Sequence, residues 1–148
     1  GDMGRKNLPI QRDPDPAPAA DYLQVESTYG DRRHGDTADI PGELEEIVND
    51  TVERGGNIVI PSFAVERTQE LLYYLGQLIE EDRIPHLQVF VDSPMAIRVT
   101  EIFKRHPELF DNETREMLEG ERLLESFPNL HLTRSVAESK SINRIHGS

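Results

Sequence analysis

The stretch Leu87-Gln88-Val89-Phe90-Val91-Asp92-Ser93-Pro94-Met95-Ala96 decides the fold. Leu87 to Val91 is rich in valine and aromatic character and reads as a strand. It stops on a carboxylate, Asp92. Ser93 has the chemistry of a helix N-cap and Pro94 suits a first helical position, so a helix starts at once. That helix is expected to turn Met95, Val99, Ile102 and Phe103 inward and to stop near His106-Pro107. A strand that feeds directly into a helix is one half of a crossover unit.

The same grammar repeats on either side. Upstream, Asn57-Ile58-Val59-Ile60 is a β-branched run of the kind found in a strand buried on both faces. Pro61-Ser62-Phe63 turns the chain, and Ser62 is a candidate cap for a helix from about Val65 to Glu81, whose core stripe is Leu71, Leu72, Leu75, Leu78 and Ile79. Further back, Pro41 opens a helix with Leu44, Ile47, Val48 and Val52 on one face, and Arg54-Gly55-Gly56 ends it. Asp21 to Val25 alternates as a short strand and ends on Glu26. Residues 1 to 20, with Pro9, Pro14, Pro16 and Pro18, read as an extended, floppy arm made locally basic by Arg5, Lys6 and Arg12. Downstream, Asp111 caps a short acidic helix over Asn112 to Glu119, ended by Gly120. Leu130-His131-Leu132 is a short strand. Ser135-Val136-Ala137-Glu138 is a capping box for a last helix that Gly147 finishes at the latest.

This alternation predicts an α/β fold, a parallel sheet with helices on both faces and right-handed crossovers. In such a sheet the C-terminal strand ends share one edge. Glu26, Pro61-Ser62, Asp92-Ser93 and Thr133-Arg134-Ser135 are expected along it. Their hydroxyls and helix N-termini predict an anion-accepting crevice, with Arg67 and Arg134 adding positive charge. Ser62, Ser93 and Ser135 read first as caps, a role compatible with touching a phosphate.

Composition narrows the function. At 148 residues, 36% hydrophobic and 30% charged, the chain is one globular domain with no apolar run of membrane-span length. Gly1-Asp2-Met3 lacks a signal-peptide pattern, and the absence of cysteine rules out disulfides and thiolate metal sites, which fits a cytoplasmic home. The net charge of −12 repels phosphate, so a nucleic-acid role needs a local basic pocket or another domain. His34, His86, His106, His131 and His146 are scattered without ligand spacing and read as structural or surface residues. No glycine-rich phosphate loop and no Gly-x-Ser-x-Gly elbow occurs.

One stretch leaves two readings open. Glu26-Ser27-Thr28-Tyr29-Gly30-Asp31-Arg32-Arg33-His34 combines a carboxylate, three hydroxyls, a glycine that permits positive φ, and a cluster of charge. It is either a solvated loop in which Asp31 pairs with Arg32 or Arg33, or a strand-end site in which Glu26 orients a histidine or moves a proton.

That run resembles a signature of the β-CASP branch of the metallo-β-lactamase superfamily. Three later runs are similar to the same family in the same order: Ile58 to Glu70, containing Arg67-Thr68-Gln69-Glu70; Val91-Asp92-Ser93-Pro94-Met95-Ala96; and Ser139-Lys140-Ser141-Ile142-Asn143. Gly1-Asp2-Met3-Gly4-Arg5 is similar to the Gly-Asp-x-Gly-Arg that carries a metal-ligating aspartate. The family usually has glycine before its Arg-Thr-Gln-Glu run, where this chain has Glu66. The resemblance implies a Rossmann-like β-CASP lid (residues 21–148, incomplete) preceded by an arm (residues 1–20) of a host metallo-β-lactamase domain in the same parent chain. It implies a parent that hydrolyses RNA with zinc, and a fragment that is inactive alone and holds no zinc of its own, because no His-x-His-x-Asp-His is present. By motif, Asp2 would be a metal ligand in the complete parent and Glu26 would orient a catalytic histidine. Ser62, Arg67 and Arg134 would contact the substrate. The competing expectation is a free-standing α/β module for interaction or small-anion binding.

Overall fold

The computed structural model describes residues 6, 9–32, 39–110 and 129–145. The acidic helix expected after Asp111, the end of the last helix at Gly147, Asp2, His34 and His146 lie outside the described residues.

Helix α1 spans Ile40–Glu53. Asp39 caps it by accepting a bond from the Gly42 N–H at 3.2 Å, and Pro41 sits in its first turn, where a missing N–H costs nothing. Gly55 leaves it with φ 63°, a left-handed value that favours glycine. Helix α2 spans Arg67–Glu80. Its apolar stripe meets α1: Leu72, Leu75, Leu78 and Ile79 join Val48 in one buried cluster, with Leu44 and Val52 packed against it. The turn after α2 is fastened to α1 by polar bonds. Arg83 reaches Glu45 through Nε at 2.9 Å, and its carbonyl accepts a bond from Asn49 at 3.0 Å.

Strand β1, Val89–Val91, is parallel to β2, Leu130–Leu132, with Val89 opposite Leu130 and Val91 opposite Leu132. Val89, Val91, Leu130 and Leu132 belong to the α1–α2 core. Phe90 and His131 point to the other face and stack at 4.8 Å, as the two-residue period of a strand requires. Between the strands runs α3, Pro94–Lys104. Helix α4, Val136–Ile142, follows β2. The α/β alternation and parallel pairing are those the sequence predicts. Among the described residues no helix is long and apolar enough to cross a membrane.

Several expectations fail. Asp21 to Val25 is not a strand; Tyr22, Leu23 and Val25 are exposed and unpaired. Asn57 to Ile60 is extended but forms no ladder, and Val59 is 86% exposed. Both have strand composition, but a strand also needs a neighbour to take its backbone bonds. The inward face of α3 is rotated: Ala96 and Ile97 are buried, while Met95 and Ile102 are exposed. The arm is not floppy throughout. Ile10 is buried against Tyr73 and Phe110.

Candidate functional site

The edge beyond β1 and β2 is built around Asp92. Its Oδ1 accepts a bond from Thr133 Oγ1 at 2.7 Å and its Oδ2 one from Ser139 Oγ at 2.8 Å. Thr133 is buried; its N–H donates to the Val91 carbonyl at 3.2 Å, and its single hydroxyl proton is shared between Asp92 and that carbonyl, which lies 3.0 Å from Oγ1. The carboxylate therefore latches α4 to the strand ends. These two hydroxyls, Thr133 first, hold the Asp92 pKa below its ordinary value. The sequence placed Asp92 on this edge without giving it a role; a strand-end carboxylate facing a hydroxyl-rich helix start was the available signal.

The helix starts on this edge are mostly occupied by the protein itself. Ser93 accepts a bond from the Ala96 N–H at 3.2 Å. Ser135 accepts one from the Glu138 N–H at 3.3 Å, and Glu138 takes the N–H groups of Ser135 and Arg134 at 2.9 and 2.7 Å. Those bonds hold the Glu138 pKa below its ordinary value, the Arg134 N–H contributing most. An anion reaching α4 would have to displace that carboxylate. What remains available there is the Arg134 guanidinium, which meets Glu101 at 3.1 Å and is largely exposed.

Helix α2 starts differently. Its N-cap, Glu66, makes no side-chain cap bond. Glu66 has φ 68° and ψ −62°, and the Arg67 N–H donates to the Val65 carbonyl at 2.9 Å. That is a γ-turn of the strained, positive-φ kind. Glycine occupies such a position without steric cost, which explains why this position suits the glycine of the related motif. Ser62 does not cap the helix, because its hydroxyl lies before the turn. It donates to the Phe63 carbonyl at 3.4 Å and accepts from Thr68 Oγ1 at 3.3 Å. The Arg67 guanidinium is 52% exposed and pairs with Glu70, which is nearly buried, at 2.6 Å.

Helix α3 supports both arginine-bearing corners. Gln69, one turn into α2, is buried and donates to the Ala64 carbonyl at 3.2 Å and to Thr100 Oγ1 at 2.9 Å. Arg134 pairs with Glu101. Thr100 and Glu101 are consecutive residues, but that they meet Gln69 and Arg134 is invisible before the chain is folded.

Glu26 lies in an exposed stretch just before a turn. Its Oε2 accepts bonds from the Thr28 N–H at 2.9 Å and the Thr28 hydroxyl. The hydroxyl, then the N–H, holds the Glu26 pKa below its ordinary value. Among the described residues Oε1 accepts no bond, so it is open to an outside donor. Asp31 pairs with Arg32 at 3.3 Å, the partner expected of a solvated loop. Gly30 does not adopt positive φ; a Cβ there would stand 3.3 Å from the Ser27 carbonyl, so close approach is what favours glycine. No hydrogen bond or ion pair among the described residues joins Glu26 to Ser62, Arg67 or Arg134. Nor is any group of three or more His, Cys, Asp or Glu side chains among them placed to hold a metal ion.

Residues 68–148 match the model of the Beta-Casp domain. The chain belongs to the Beta-Casp family. The match starts inside the Arg67-Thr68-Gln69-Glu70 run and takes in β1, α3, β2 and α4. The Beta-Casp chain is 36% identical over 148 residues to Ribonuclease TTHA0252 of Thermus thermophilus, covering 99% of this chain and 34% of that protein. It is 36% identical over 103 residues to Transcription termination factor FttA of Methanosarcina mazei, covering 68% of this chain and 16% of that protein. It is 28% identical over 114 residues to Cleavage and polyadenylation specificity factor subunit 3 of Dictyostelium discoideum, covering 76% and 14%. The Beta-Casp chain thus spans about a third of the first of these relatives and less than a fifth of the other two.

Proposed function

We propose that this Beta-Casp chain is the substrate-clamping lid of a larger ribonuclease of the metallo-β-lactamase fold that hydrolyses RNA phosphodiester bonds with zinc. The observation that carries this reading is the similarity of essentially the whole chain to a protein named a ribonuclease, together with the family match. In this reading residues 1–20 belong to the host domain and 21–148 to the lid. The lid alone is inactive in this reading, since its sequence carries no His-x-His-x-Asp-His. Apart from Asp2, the zinc ligands come from the rest of the parent chain, so no step of the chemistry is assigned to a metal here.

The lid's own contribution is to grip phosphate. Arg67 and Arg134 each expose a guanidinium that a carboxylate holds, Glu70 and Glu101. A guanidinium has five N–H donors, so one carboxylate bond fixes its orientation and leaves donors for a phosphate. Ser62 lies beside the start of α2, which no side chain caps. The Arg67 and Thr68 N–H groups there are held by the Val65 and Phe63 carbonyls, so the Ser62 hydroxyl and the Arg67 guanidinium are the donors offered to an anion. Glu26 stays ionised at neutral pH, and its open Oε1 suits the N–H of a histidine from the host domain, fixing that ring's tautomer.

The test is steady-state kinetics of the full-length protein on single-stranded RNA. Arg67→Ala and Arg134→Ala should each raise KM about tenfold, the loss of one charge-assisted contact. Glu26→Gln should lower kcat while KM stays within about twofold. Unchanged KM in both arginine variants would remove the clamp, and full activity of Glu26→Gln would remove Glu26 from the mechanism.

A further inference from the structure

Among the described residues the arm is fastened to the lid around Ile10. Ile10 is 5% exposed and packs with Tyr73 of α2 and Phe110, while Tyr74 and Phe103 pack around them. Its φ is 78°. A β-branched residue rarely enters that region, because its Cβ crowds the backbone. Such a conformation persists only where the surroundings over-determine it. Here they do. The Gln11 N–H donates to the Pro9 carbonyl at 3.0 Å and the Arg12 N–H to the Leu109 carbonyl at 3.2 Å, and Gln11 forms an antiparallel bridge with Phe110. The chain turns sharply at Ile10 so that its side chain drops into an aromatic socket.

The position of this socket matters under the reading given above, on which the present inference rests. There the arm belongs to the host domain, yet its side chain is buried in the lid. We infer that Ile10 is a clasp between the two, a positioning residue that sets where the lid sits over the reacting centre. Because the Ile10 side chain and the Arg12 N–H hold this turn on the lid, the arm leaves the lid from a defined place, which limits how far lid and host domain can drift apart without any contact to substrate.

The experiment compares wild-type full-length protein with Ile10→Gly and Ile10→Leu. Glycine accepts the positive φ but empties the socket, whereas leucine keeps an apolar side chain in it. Ile10→Gly should speed amide hydrogen exchange at Gln11 and Arg12 about tenfold while the amides of Leu75 to Ile79 and of β1 keep their protection. Its kcat on RNA should fall about tenfold with KM within about twofold, the mark of lost positioning rather than lost binding. Ile10→Leu should restore both. Unchanged exchange at Gln11 and Arg12 overturns the clasp. Faster exchange with unchanged kcat overturns the coupling. Exchange that rises through all of α2 also overturns the clasp, by making Ile10 an ordinary core residue. If the wild-type protein cleaves no RNA, the functional reading fails, and the exchange data still decide whether the arm is clasped.

Discussion

Ile58-Val59-Ile60 and Val89-Phe90-Val91 are close to interchangeable in composition, yet only the second is a strand. Both follow a turn, both are β-branched and aromatic or aliphatic throughout, and both lead to a helix. The difference is a partner. Val89 to Val91 lies beside Leu130 to Leu132 and above the α1–α2 core. Ile58 to Ile60 has neither and is left exposed. Propensity proposes a strand; a ladder and a core beneath it make one.

The comparison can be broken most forcefully from below. Leu78 is fully buried in the cluster that supports β1. Leu78→Ala should destabilise the chain by about 3–5 kcal/mol in urea unfolding, the lost transfer energy plus a cavity. A loss under about 1 kcal/mol would mean that β1 does not rest on this core.

A matched pair sharpens it. Val91 and Val59 are the same residue type in the two runs, one buried and one exposed. Val91→Ala should cost about 2 kcal/mol and Val59→Ala under about 0.5. Equal costs would show that the first run is packed in solution. A cost at Val59 that appears only in the full-length protein would locate its partner in the rest of that chain.

Smaller effects come from the turns that join each run to its helix. Ser93 caps α3 in the paired case, while Glu66 begins α2 with positive φ in the unpaired one. Glu66→Gly should stabilise the chain by about 0.5–1 kcal/mol, the relief of side-chain strain less the greater entropy of glycine in the unfolded chain. A decrease in stability would show that the glutamate makes a compensating contact.

The smallest effect is local and depends on pH. The pKa values of Asp92 and Glu138 are lower in the folded chain than their ordinary values of 3.8 and 4.5. A depressed folded pKa adds stability above the ordinary value and loses it as pH falls through the folded one. The latch of α4 on the strand ends should therefore hold at neutral pH and loosen below about pH 4. Amide exchange across α4 checks this, and Asp92→Asn should remove most of the pH dependence. A pH-independent α4 in the unaltered chain would rule the latch out.

Much of the candidate site was legible because its signals are local. Ser93 with Pro94, and Ser135 with Glu138, act within one helical turn of themselves, and both perform as the residues imply. The run of motifs likewise named the family before any fold was known. What stayed hidden were relations between distant residues. Gln69 with Thr100, Arg134 with Glu101, and Asp92 with Thr133 and Ser139 join positions 31 to 47 apart in the chain. No spacing rule reaches that far.

By itself, then, the sequence determined the caps of α3 and α4, the apolar stripe of α2, and that strands and helices alternate, since capping and periodicity act over a few residues. Only the tertiary structure decided which β-branched run found a neighbour and which face of α3 turned inward. It alone put Ile10 into an aromatic socket at a φ that no local preference would choose. A backbone ladder and a packed core are satisfied by segments that meet in space, and their free energy belongs to the pair rather than to either stretch alone.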